Sequence, residues 1–457
     1  SRFKSVIVSY QNSEVSQIVS AELIFGAIGA NGKLPVSIGS HFKVGDGLTT
    51  PSLGRIGFTA AENVGMNSGM LENIDVIANK AIVAKMTPGI QVLVARKGKV
   101  IYQKSFGFHT YENVTPVKNS DLYDIASLTK ITATLPNVMQ QYDKGKITME
   151  SKLGDMIPML SNSDKKNIHL KELLSHYARL QAWEPFYKAT LDSAGFPSPR
   201  YYRKTIEAGF THQVTENLYI RDDYRDTILA KIAKSRLLPK QEYKYSDFAF
   251  ILMKEYLQKA TKTSLDSLSY RNFFAPLGMT HTMFNPLQRV DMSQVPPTEN
   301  DTYFRHQVVQ GYVHDMEAAL EGGIGGHAGL FSNAMDVAKM MQLFLQKGNY
   351  GGKQYFSTKT FDDFNTCYFC KDGNRRGVGF DKPQLPKQAG PTCNCVSEKS
   401  FGHTGFTGTM AWADPETEIV YVFLSNRTFP DSNLNTLSKE NIREDIQKVI
   451  QQAIISK

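Results

Sequence analysis

Apolar residues cluster in two regions of the chain, in the short runs that are typical of β-strands. Residues 89–94 and 100–102 enclose a polar, glycine-containing turn at residues 96–99, which predicts a β-hairpin. Near the other end, residues 408–413 and 419–424 enclose an Asp-Pro-Glu turn. Together these runs predict an antiparallel sheet.

Helical periodicity surrounds these strands. From Ser68 onward, apolar residues such as Leu71 recur at the spacing of an amphipathic helix, and a second such helix covers residues 438–455. The region at about residues 132–330 is mostly helical in pattern. The predicted fold class is therefore α+β, an antiparallel sheet flanked by helices with an inserted, mostly α-helical domain, over residues 67–457.

The N-terminal region has a different pattern. Residues 6–8 and 33–38 are strand-like, and Ser13 is placed to cap a helix between them. One unit of this size cannot bury its own core, so residues 1–50 are predicted to be the end of a larger α/β domain. The following stretch, residues 51–66, is rich in Gly, Thr, Pro and Ser and is interpreted as a linker.

Composition excludes several classes of protein. The 457 residues are 41% hydrophobic with a net charge of +8, but Lys and Arg are scattered and form no run of five. Neither an RNA-binding pattern nor a helix-turn-helix pattern is present, so no nucleic-acid partner is expected. No apolar run approaches the roughly 18 residues that span a bilayer, so no membrane-spanning segment is expected.

All four cysteines lie within one short window. Cys367 and Cys370 form a C-x2-C pair, and Cys393 and Cys395 form a C-x-C pair. The four thiolates are a complete ligand set for one structural zinc ion. Disulfides are an equal alternative, and because neighbours in C-x-C seldom bridge each other, they are expected to run between the two pairs. Either role is structural.

A candidate nucleophile lies at Ser127. Lys130 follows three residues later, and on a helix the two side chains would project from one face. A serine hydroxyl needs a base to take its proton, and a buried lysine with a lowered pKa can serve. The spacing alone is a weak signal, because S-x-x-K arises often by chance.

Two further motifs follow in a fixed order. Residues 245–247 read Tyr-Ser-Asp just before an apolar helix, and residues 403–405 read His-Thr-Gly before the last strand pair. With S-x-x-K at residues 127–130, this order resembles the serine β-lactamase and DD-peptidase superfamily, particularly its class C and esterase-like branch. The resemblance covers about residues 67–455 and implies the β-lactamase/transpeptidase-like fold.

The resemblance implies catalytic roles. Ser127 would attack a carbonyl to form an acyl-enzyme, while Lys130 and Tyr245 would share the proton transfers. The backbone N–H groups of Ser127 and Phe406 would form the oxyanion hole, where loss of one donor costs roughly 3–4 kcal/mol in other serine enzymes. Glycine at position 405 would let the substrate backbone lie against the strand edge.

The substrate-binding positions implied by the resemblance are Asp247, His403, Thr404, Gly405 and Phe406. Two of them depart from the family pattern, since the family usually carries asparagine at 247 and lysine at 403. A neutral imidazole binds a carboxylate less firmly than an ammonium, and the Asp247 carboxylate would repel one. These departures argue against β-lactamase or D-Ala-D-Ala carboxypeptidase activity and favour an amidase or esterase.

A second resemblance concerns the N-terminal region. Residues 29–38, GANGKLPVSI, resemble the closing segment of the second domain of family 3 glycoside hydrolases. That family includes N-acetylglucosaminidases that trim muropeptides, and N-acetylmuramyl-L-alanine amidases of the β-lactamase-like type work beside them. The association implies a muropeptide amidase fused to a β-N-acetylglucosaminidase in the periplasm.

Other functions stay open at this point. A broad-specificity esterase, a weak β-lactamase or a carboxypeptidase would use the same residues. A penicillin-binding or sensor module that acylates without turnover is an alternative of another class. No cofactor is expected for catalysis, and the cysteines allow a structural zinc. Asp315 is expected to cap a helix at residues 316–320, and His327 to be a structural histidine.

Overall fold

The computed structural model describes residues 4–455. Its helices are α1 (Glu14–Ile24), α2 (Ser68–Leu71), α3 (Asn73–Val83), α4 (Leu135–Asp143), α5 (Leu153–Met156), α6 (Leu170–Leu174), α7 (Tyr224–Lys234), α8 (Phe248–Thr261), α9 (Leu265–Ser269), α10 (Ala275–Leu277), α11 (Met316–Leu320), α12 (Ala334–Leu345), α13 (Thr358–Asn365), α14 (Thr436–Lys439) and α15 (Ile442–Gln452).

The strands are β1 (Gly57–Phe58), β2 (Gly89–Arg96), β3 (Lys99–Gly107), β4 (Tyr123–Asp124), β5 (Tyr202–Arg203), β6 (His212–Thr215), β7 (Leu218–Ile220), β8 (Met283–Phe284), β9 (Glu299–Asp301), β10 (Gln307–Val309), β11 (Leu330–Ser332), β12 (Asn349–Tyr350), β13 (Lys353–Gln354), β14 (Phe401–Thr404), β15 (Met410–Asp414) and β16 (Ile419–Ser425). The expected hairpin and C-terminal strand pair are thus confirmed.

Six strands form the main sheet, in the order β1-β3-β2-β16-β15-β14. All neighbours are antiparallel except β1, which runs parallel to β3, so the sheet is mixed rather than purely antiparallel as expected. The β2–β3 hairpin closes through Lys97 and Gly98, both with positive φ, which matches the twist of the flanking strands. Strand β14 lies at the edge of this sheet.

Side chains alternate between the two faces of the sheet and build two cores. Along β16, residues 420, 422 and 424 pack into one cluster, which includes α12 and the buried helix α8. Residues 419, 421 and 423 pack into the other, which includes α3 and α15. The first cluster continues into the helical region, so this face of the sheet and the inserted helices share one core.

The helical region also contains short sheets. Strands β5–β7 form one sheet, β4, β8 and β11 form a second, and β9 pairs with β10. The expected insertion contains helices α4 to α11, with these two- and three-stranded sheets between them, and its standing as a separate, mostly α-helical unit stays a prediction. The strands of these sheets are too short to give a clear alternating pattern in the sequence.

The N-terminal region forms one of its three expected elements. Helix α1 begins after Ser13, whose side chain accepts a hydrogen bond from the Ser16 N–H. The expected strands at residues 6–8 and 33–38 do not form; Val6, Ile7 and Val8 remain exposed and unpaired. A strand needs a neighbour to satisfy its backbone groups, and within residues 4–455 no strand lies beside them.

The domain boundaries remain predictions. Within the expected linker, β1 pairs with β3, and Ala61, Val64 and Met66 are buried in the core formed by α3 and α15. No helix among residues 4–455 is long and apolar enough to cross a bilayer.

The cysteines form disulfides within each pair, not between the pairs as expected. Cys367 bonds to Cys370, and Cys393 bonds to Cys395. The Cα atoms of each pair are 5.6 and 5.2 Å apart, which is ordinary spacing for a disulfide even in the C-x-C pair. Each sulfur is bonded to its neighbour, and the described residues contain no free cysteine. The structural zinc stays a prediction.

Candidate active site

Ser127 lies in a tight turn that ends strand β4 and begins a helical segment. The buried Asp124 carboxylate accepts hydrogen bonds from the backbone N–H of Ala126, at 2.8 Å, and of His314, at 2.7 Å. Ala126 has φ +46°, a left-handed conformation that is uncommon for a residue other than glycine. Such strain directly before a candidate nucleophile is typical of a turn that exposes the next side chain.

Lys130 lies one turn after Ser127 at the start of a π-helical turn, Lys130–Thr134, and its side chain is completely buried. The Nζ donates to Ser127 Oγ at 2.9 Å, to Asp247 Oδ1 at 2.7 Å and to the His327 carbonyl at 3.0 Å. Three acceptors for three protons are the environment of an ammonium ion.

The pKa of Lys130 is therefore raised, and the lowered pKa expected from the sequence is wrong. Burial acts to lower this pKa, but the charge of Asp247, assisted by Tyr245, outweighs it. The sequence argument considered the burial of the lysine but not its ion pair with Asp247.

Tyr245 contacts the candidate nucleophile from the other side. Its hydroxyl donates to Ser127 Oγ at 2.9 Å, and its ring lies 4.5 Å from the ring of His176. Burial raises the pKa of Tyr245 despite the opposing charge of Lys130. In the resting site the tyrosine is neutral and the lysine is charged, and Ser127 Oγ accepts a hydrogen bond from each.

His403 occupies strand β14 but is almost fully buried. Its Nδ1 donates to the Thr404 carbonyl at 2.7 Å, and its Nε2 accepts from Arg376 Nη1 at 3.2 Å. Burial, followed by the charge of Arg376, lowers the pKa of His403 well below its usual range. The imidazole is neutral as expected, and Arg376 supplies a cation that the sequence analysis missed.

Arg376 is itself held by an ion pair. Its Nη2 lies 3.2 Å from Asp381 Oδ2 and donates to the Tyr243 hydroxyl at 3.2 Å, and its guanidinium stacks on the Tyr245 ring at 5.3 Å. The only signal in the sequence was an arginine doublet at residues 375–376, ahead of a glycine-containing stretch. That doublet is 27 residues from His403, and only the fold brings the two together.

A second charged cluster adjoins Lys130. Asp315 caps α11 by accepting from the Ala318 N–H, as expected, and its Oδ1 also lies 2.9 Å from His327 Nε2. Burial opposes this ion pair, but Asp315 raises the pKa of His327 to about 9. Burial raises the pKa of the neighbouring Glu317 well above its usual range. His327 thus forms an ion pair with Asp315 beside the candidate site, which is a structural role as expected.

The two N–H groups expected to form an oxyanion hole are not used in hydrogen bonds within the described part of the chain. Among residues 4–455, no acceptor receives a hydrogen bond from the backbone N–H of Ser127 or of Phe406. Gly405 precedes Phe406, and a Cβ atom there would overlap Thr409 Oγ1. The chain can therefore follow this path only with glycine at position 405. Gly405 and Phe406 line the same cavity as Ser127.

The cavity has a volume of about 560 Å³. The residues singled out from the sequence that line it are Ser127, Tyr245, Asp247, Asp315, His403, Thr404, Gly405 and Phe406. Side chains that the sequence analysis did not place there include Trp183, Glu317, Arg376, Arg427 and Arg443. The cysteines do not line it.

Comparison with known proteins gives consistent matches. The profile of the Beta-lactamase family matches residues 78–441. A provisionally named D-alanyl-D-alanine carboxypeptidase of Escherichia coli O157:H7 is 29% identical over 395 residues, covering 81% of this chain and 85% of the relative. A protein with the same provisional name from Escherichia coli K12 is 29% identical over 366 residues, covering 74% of this chain and 78% of the relative.

Solved structures share the fold at low sequence identity. EstCE1, described as a hydrolase with promiscuous acyltransferase activity, has a TM-score of 0.59 at 19% identity, covering 85% of this chain and 99% of its own. A penicillin-binding protein homologue from Caulobacter crescentus has a TM-score of 0.55 at 14% identity, covering 81% and 97%.

Proposed function

The chain belongs to the Beta-lactamase family and is a serine hydrolase, and we propose that Ser127 forms an acyl-enzyme with an amide or ester carbonyl. The observation that carries the proposal is the pair of hydrogen bonds that Ser127 Oγ receives from Lys130 and Tyr245, each at 2.9 Å. One hydroxyl between two proton-transferring groups is the arrangement that nucleophilic catalysis requires.

The first step is the activation of Ser127. Lys130 is protonated at rest, so it must release a proton before it can act as a base, and Asp247 Oδ1 at 2.7 Å is the acceptor in reach. The neutral amine then takes the Ser127 proton as Oγ attacks the carbonyl carbon. The N–H groups of Ser127 and Phe406 stabilise the oxyanion.

The second step is the release of the leaving group. Tyr245 donates its phenolic proton to the leaving nitrogen or oxygen, and Lys130, 5.2 Å from the ring centre, stabilises the resulting phenolate. In deacylation, water gives its proton to the Tyr245 phenolate while its oxygen attacks the acyl carbon. Lys130 returns its proton to Ser127 Oγ as the ester bond breaks, and Asp247 returns its proton to Lys130, which restores the resting site.

For the substrate we propose an amide of cell-wall muropeptides, cleaved between the lactyl group of muramic acid and L-alanine. The support is the resemblance of residues 29–38 to a glycosidase segment, which suggests fusion to a β-N-acetylglucosaminidase. The apolar side chains Val15, Ile18 and Phe25 on and beside α1 are exposed, as expected for a face that another domain covers. The intact mass of the native polypeptide tests the fusion.

We propose an extracytoplasmic location. Its support is the two disulfides, because disulfides persist in oxidising compartments and are rare in the cytosol. The measurement is the free-thiol count of the protein isolated from its native cells. Four free thiols would contradict the proposal.

A second candidate is a D-Ala-D-Ala carboxypeptidase. The neutral His403 argued against this activity, but Arg376 brings a cation to the same strand, and the curated relatives carry that provisional name. A single incubation separates the two candidates, since one substrate, muramyl-pentapeptide ending in D-Ala-D-Ala, contains both scissile amides.

The products are resolved by mass spectrometry, with Ser127→Ala as the control. Release of the intact pentapeptide supports the amidase, and release of free D-alanine supports the carboxypeptidase. A stable adduct on Ser127 with no more than one equivalent of released amine per chain would instead favour the sensor-module alternative. Products that persist in Ser127→Ala would contradict serine catalysis.

A further inference from the structure

An exposed tryptophan lies on the wall of the cavity that contains Ser127. The chain has two tryptophans, and Trp412 is buried in the core, where its Nε1 donates to Ser400 Oγ at 3.0 Å. Trp183 lines the cavity and is 51% exposed, and among residues 4–455 no acceptor receives a hydrogen bond from its Nε1. Its large aromatic surface and its N–H group are therefore both available to a ligand.

Hydrogen bonds hold the backbone on both sides of Trp183. The carbonyl of Ala182 accepts from the backbone N–H of Asp247 at 2.9 Å, and the backbone N–H of Glu184 donates to Glu317 Oε1 at 3.1 Å. The first bond ties the tryptophan to the Tyr-Ser-Asp motif of the candidate site, and the second ties it to helix α11. The fold therefore fixes this residue at one place on the cavity wall.

A carboxylate oxygen without a donor lies on the adjoining part of the wall. The Asp315 side chain is 34% exposed and lines the same cavity. Its Oδ1 accepts from the Ala318 N–H and from His327 Nε2, while among residues 4–455 its Oδ2 accepts no hydrogen bond. Partial burial opposes ionisation, but the charge of His327 holds the pKa of Asp315 well below its usual range. Asp315 Oδ2 is thus a strong acceptor at neutral pH.

An aromatic ring beside a carboxylate has the chemistry of a sugar-binding surface. The apolar C–H face of a pyranose packs on an aromatic ring, while the hydroxyl groups at its edge donate to a charged acceptor. The hydrogen bond between Glu184 and Glu317 joins the segment of Trp183 to that of Asp315, so the two features share one stretch of wall. An apolar acyl group would cover the carboxylate without offering it a hydrogen bond, which is unfavourable.

The balance of charge favours neutral hydroxyl groups over an ammonium ion. His327, 2.9 Å away, already neutralises Asp315, and Lys130 is paired with Asp247 at 2.7 Å. Burial raises the pKa of Glu317 well above its usual range, so this neighbour adds no negative charge at neutral pH. A further cation would meet the charges of His327 and Lys130, whereas a sugar hydroxyl adds no charge.

We propose that Trp183 and Asp315 form a sugar-binding subsite, in which a pyranose linked to the acyl group packs on the indole ring and donates a hydroxyl hydrogen bond to Asp315 Oδ2. The proposal rests on the muropeptide substrate and the acyl transfer by Ser127 proposed above. It adds the residues that recognise the sugar. In a muramyl amide the lactyl ether joins the pyranose to the acyl carbonyl, so both groups can lie in one cavity.

The binding test uses the fluorescence of Trp183 in Ser127→Ala. Acrylamide should quench this exposed tryptophan and leave the buried Trp412 emitting, and Trp183→Phe should remove the quenchable emission. The ligands are N-acetylmuramyl-L-alanine, its analogue with cyclohexyl in place of the sugar, and D-lactyl-L-alanine, which has no ring. The muramyl compound should protect Trp183 from acrylamide, and the cyclohexyl analogue should bind about tenfold or more weakly, because it lacks the hydroxyl donor to a charged group. D-lactyl-L-alanine should give no protection.

The kinetic test compares the release of L-alanine from N-acetylmuramyl-L-alanine and from D-lactyl-L-alanine. Trp183→Ala should reduce the kcat/KM ratio of the two substrates by about fivefold or more, through lost stacking and lost apolar contact, and Trp183→Phe should keep part of it. Asp315→Asn should reduce the ratio about tenfold through the loss of a charged acceptor. Phe196→Ala is the matched control, since Phe196 is 53% exposed and does not line the cavity; it should keep the wild-type ratio.

The two tests separate this inference from the proposed catalysis. Protection of Trp183 by the muramyl compound without release of L-alanine supports the subsite and contradicts the amidase. If the muramyl compound gives no protection, or the cyclohexyl analogue binds as tightly, the subsite is overturned even where L-alanine is released. A ratio that Trp183→Ala leaves unchanged would also overturn it. If Asp315→Asn fails to fold, the two Trp183 variants carry the test.

Discussion

Removal of the Tyr245 hydroxyl tests whether this residue transfers protons or only positions Ser127. Tyr245→Phe deletes the 2.9 Å hydrogen bond to Ser127 Oγ and keeps the ring against His176 at 4.5 Å and against Arg376 at 5.3 Å. The substitution changes one hydroxyl group while its apolar and cation–π contacts remain. Any large effect on the rate therefore reports the chemistry of that hydroxyl.

The two roles differ in magnitude. A neutral hydrogen bond contributes about 0.5–1.5 kcal/mol, which is a factor of about 2 to 10 in rate. A proton transferred in the transition state contributes about 10²- to 10⁴-fold. We expect the larger loss for an amide substrate, because its nitrogen must be protonated to leave, and a smaller loss for a p-nitrophenyl ester of the same acyl group.

The assay is kcat/KM for the two substrates. Tyr243→Phe is the matched control, since Tyr243 also lines the cavity but donates no hydrogen bond to Ser127; it should lose less than tenfold. A loss below tenfold in Tyr245→Phe that is equal for the amide and the ester would refute proton transfer by Tyr245.

Three further predictions concern the charges and the disulfides. Asp247 raises the pKa of Lys130 against the effect of burial and is the proposed acceptor of its proton, so Asp247→Asn should lower the pKa of Lys130 and make the acidic limb of the kcat/KM profile report the release of that proton to solvent; a profile with the wild-type shape would contradict this role. The pKa of His327 is raised from 6.5 in the unfolded chain to about 9 in the folded protein. Its ion pair therefore contributes fully to the free energy of unfolding below pH 6.5, and this contribution, on the order of 3 kcal/mol, is lost as the pH rises through 9. Urea unfolding from pH 6 to pH 10 should show that decline in the wild type and not in His327→Gln; parallel curves would exclude it. Replacing Cys367 and Cys370 by serine opens a loop of only a few residues and should cost about 2 kcal/mol or less in urea unfolding; a larger loss would indicate that the bridge holds more than its own loop.

Local patterns predicted much of the fold because their causes are local. The Ser13 cap, the hairpin turn at Lys97 and Gly98, and the one-turn spacing of Ser127 and Lys130 each depend on residues within a few positions of one another. The Tyr-Ser-Asp and His-Thr-Gly motifs resemble those of the serine β-lactamase and DD-peptidase superfamily, and that resemblance extended the prediction from the fold to the candidate site.

Features that depend on contacts between distant segments were missed. The raised pKa of Lys130 follows from its ion pair with Asp247, which is 117 positions away. Arg376 reaches His403 from a loop, and Arg427 and Arg443 reach the cavity from separate elements. The strand expected at residues 6–8 failed for the same reason, since strand formation depends on a partner that the local sequence does not specify.

The central claim is that Ser127 is the nucleophile of this enzyme. Its most direct test is the mass of the protein and of its peptides after incubation with a fluorophosphonate, alongside Ser127→Ala. The account predicts one adduct per chain, mapped to Ser127 and absent from the variant. An unmodified wild-type protein across the pH range, or an adduct on another residue that persists in Ser127→Ala, would contradict it.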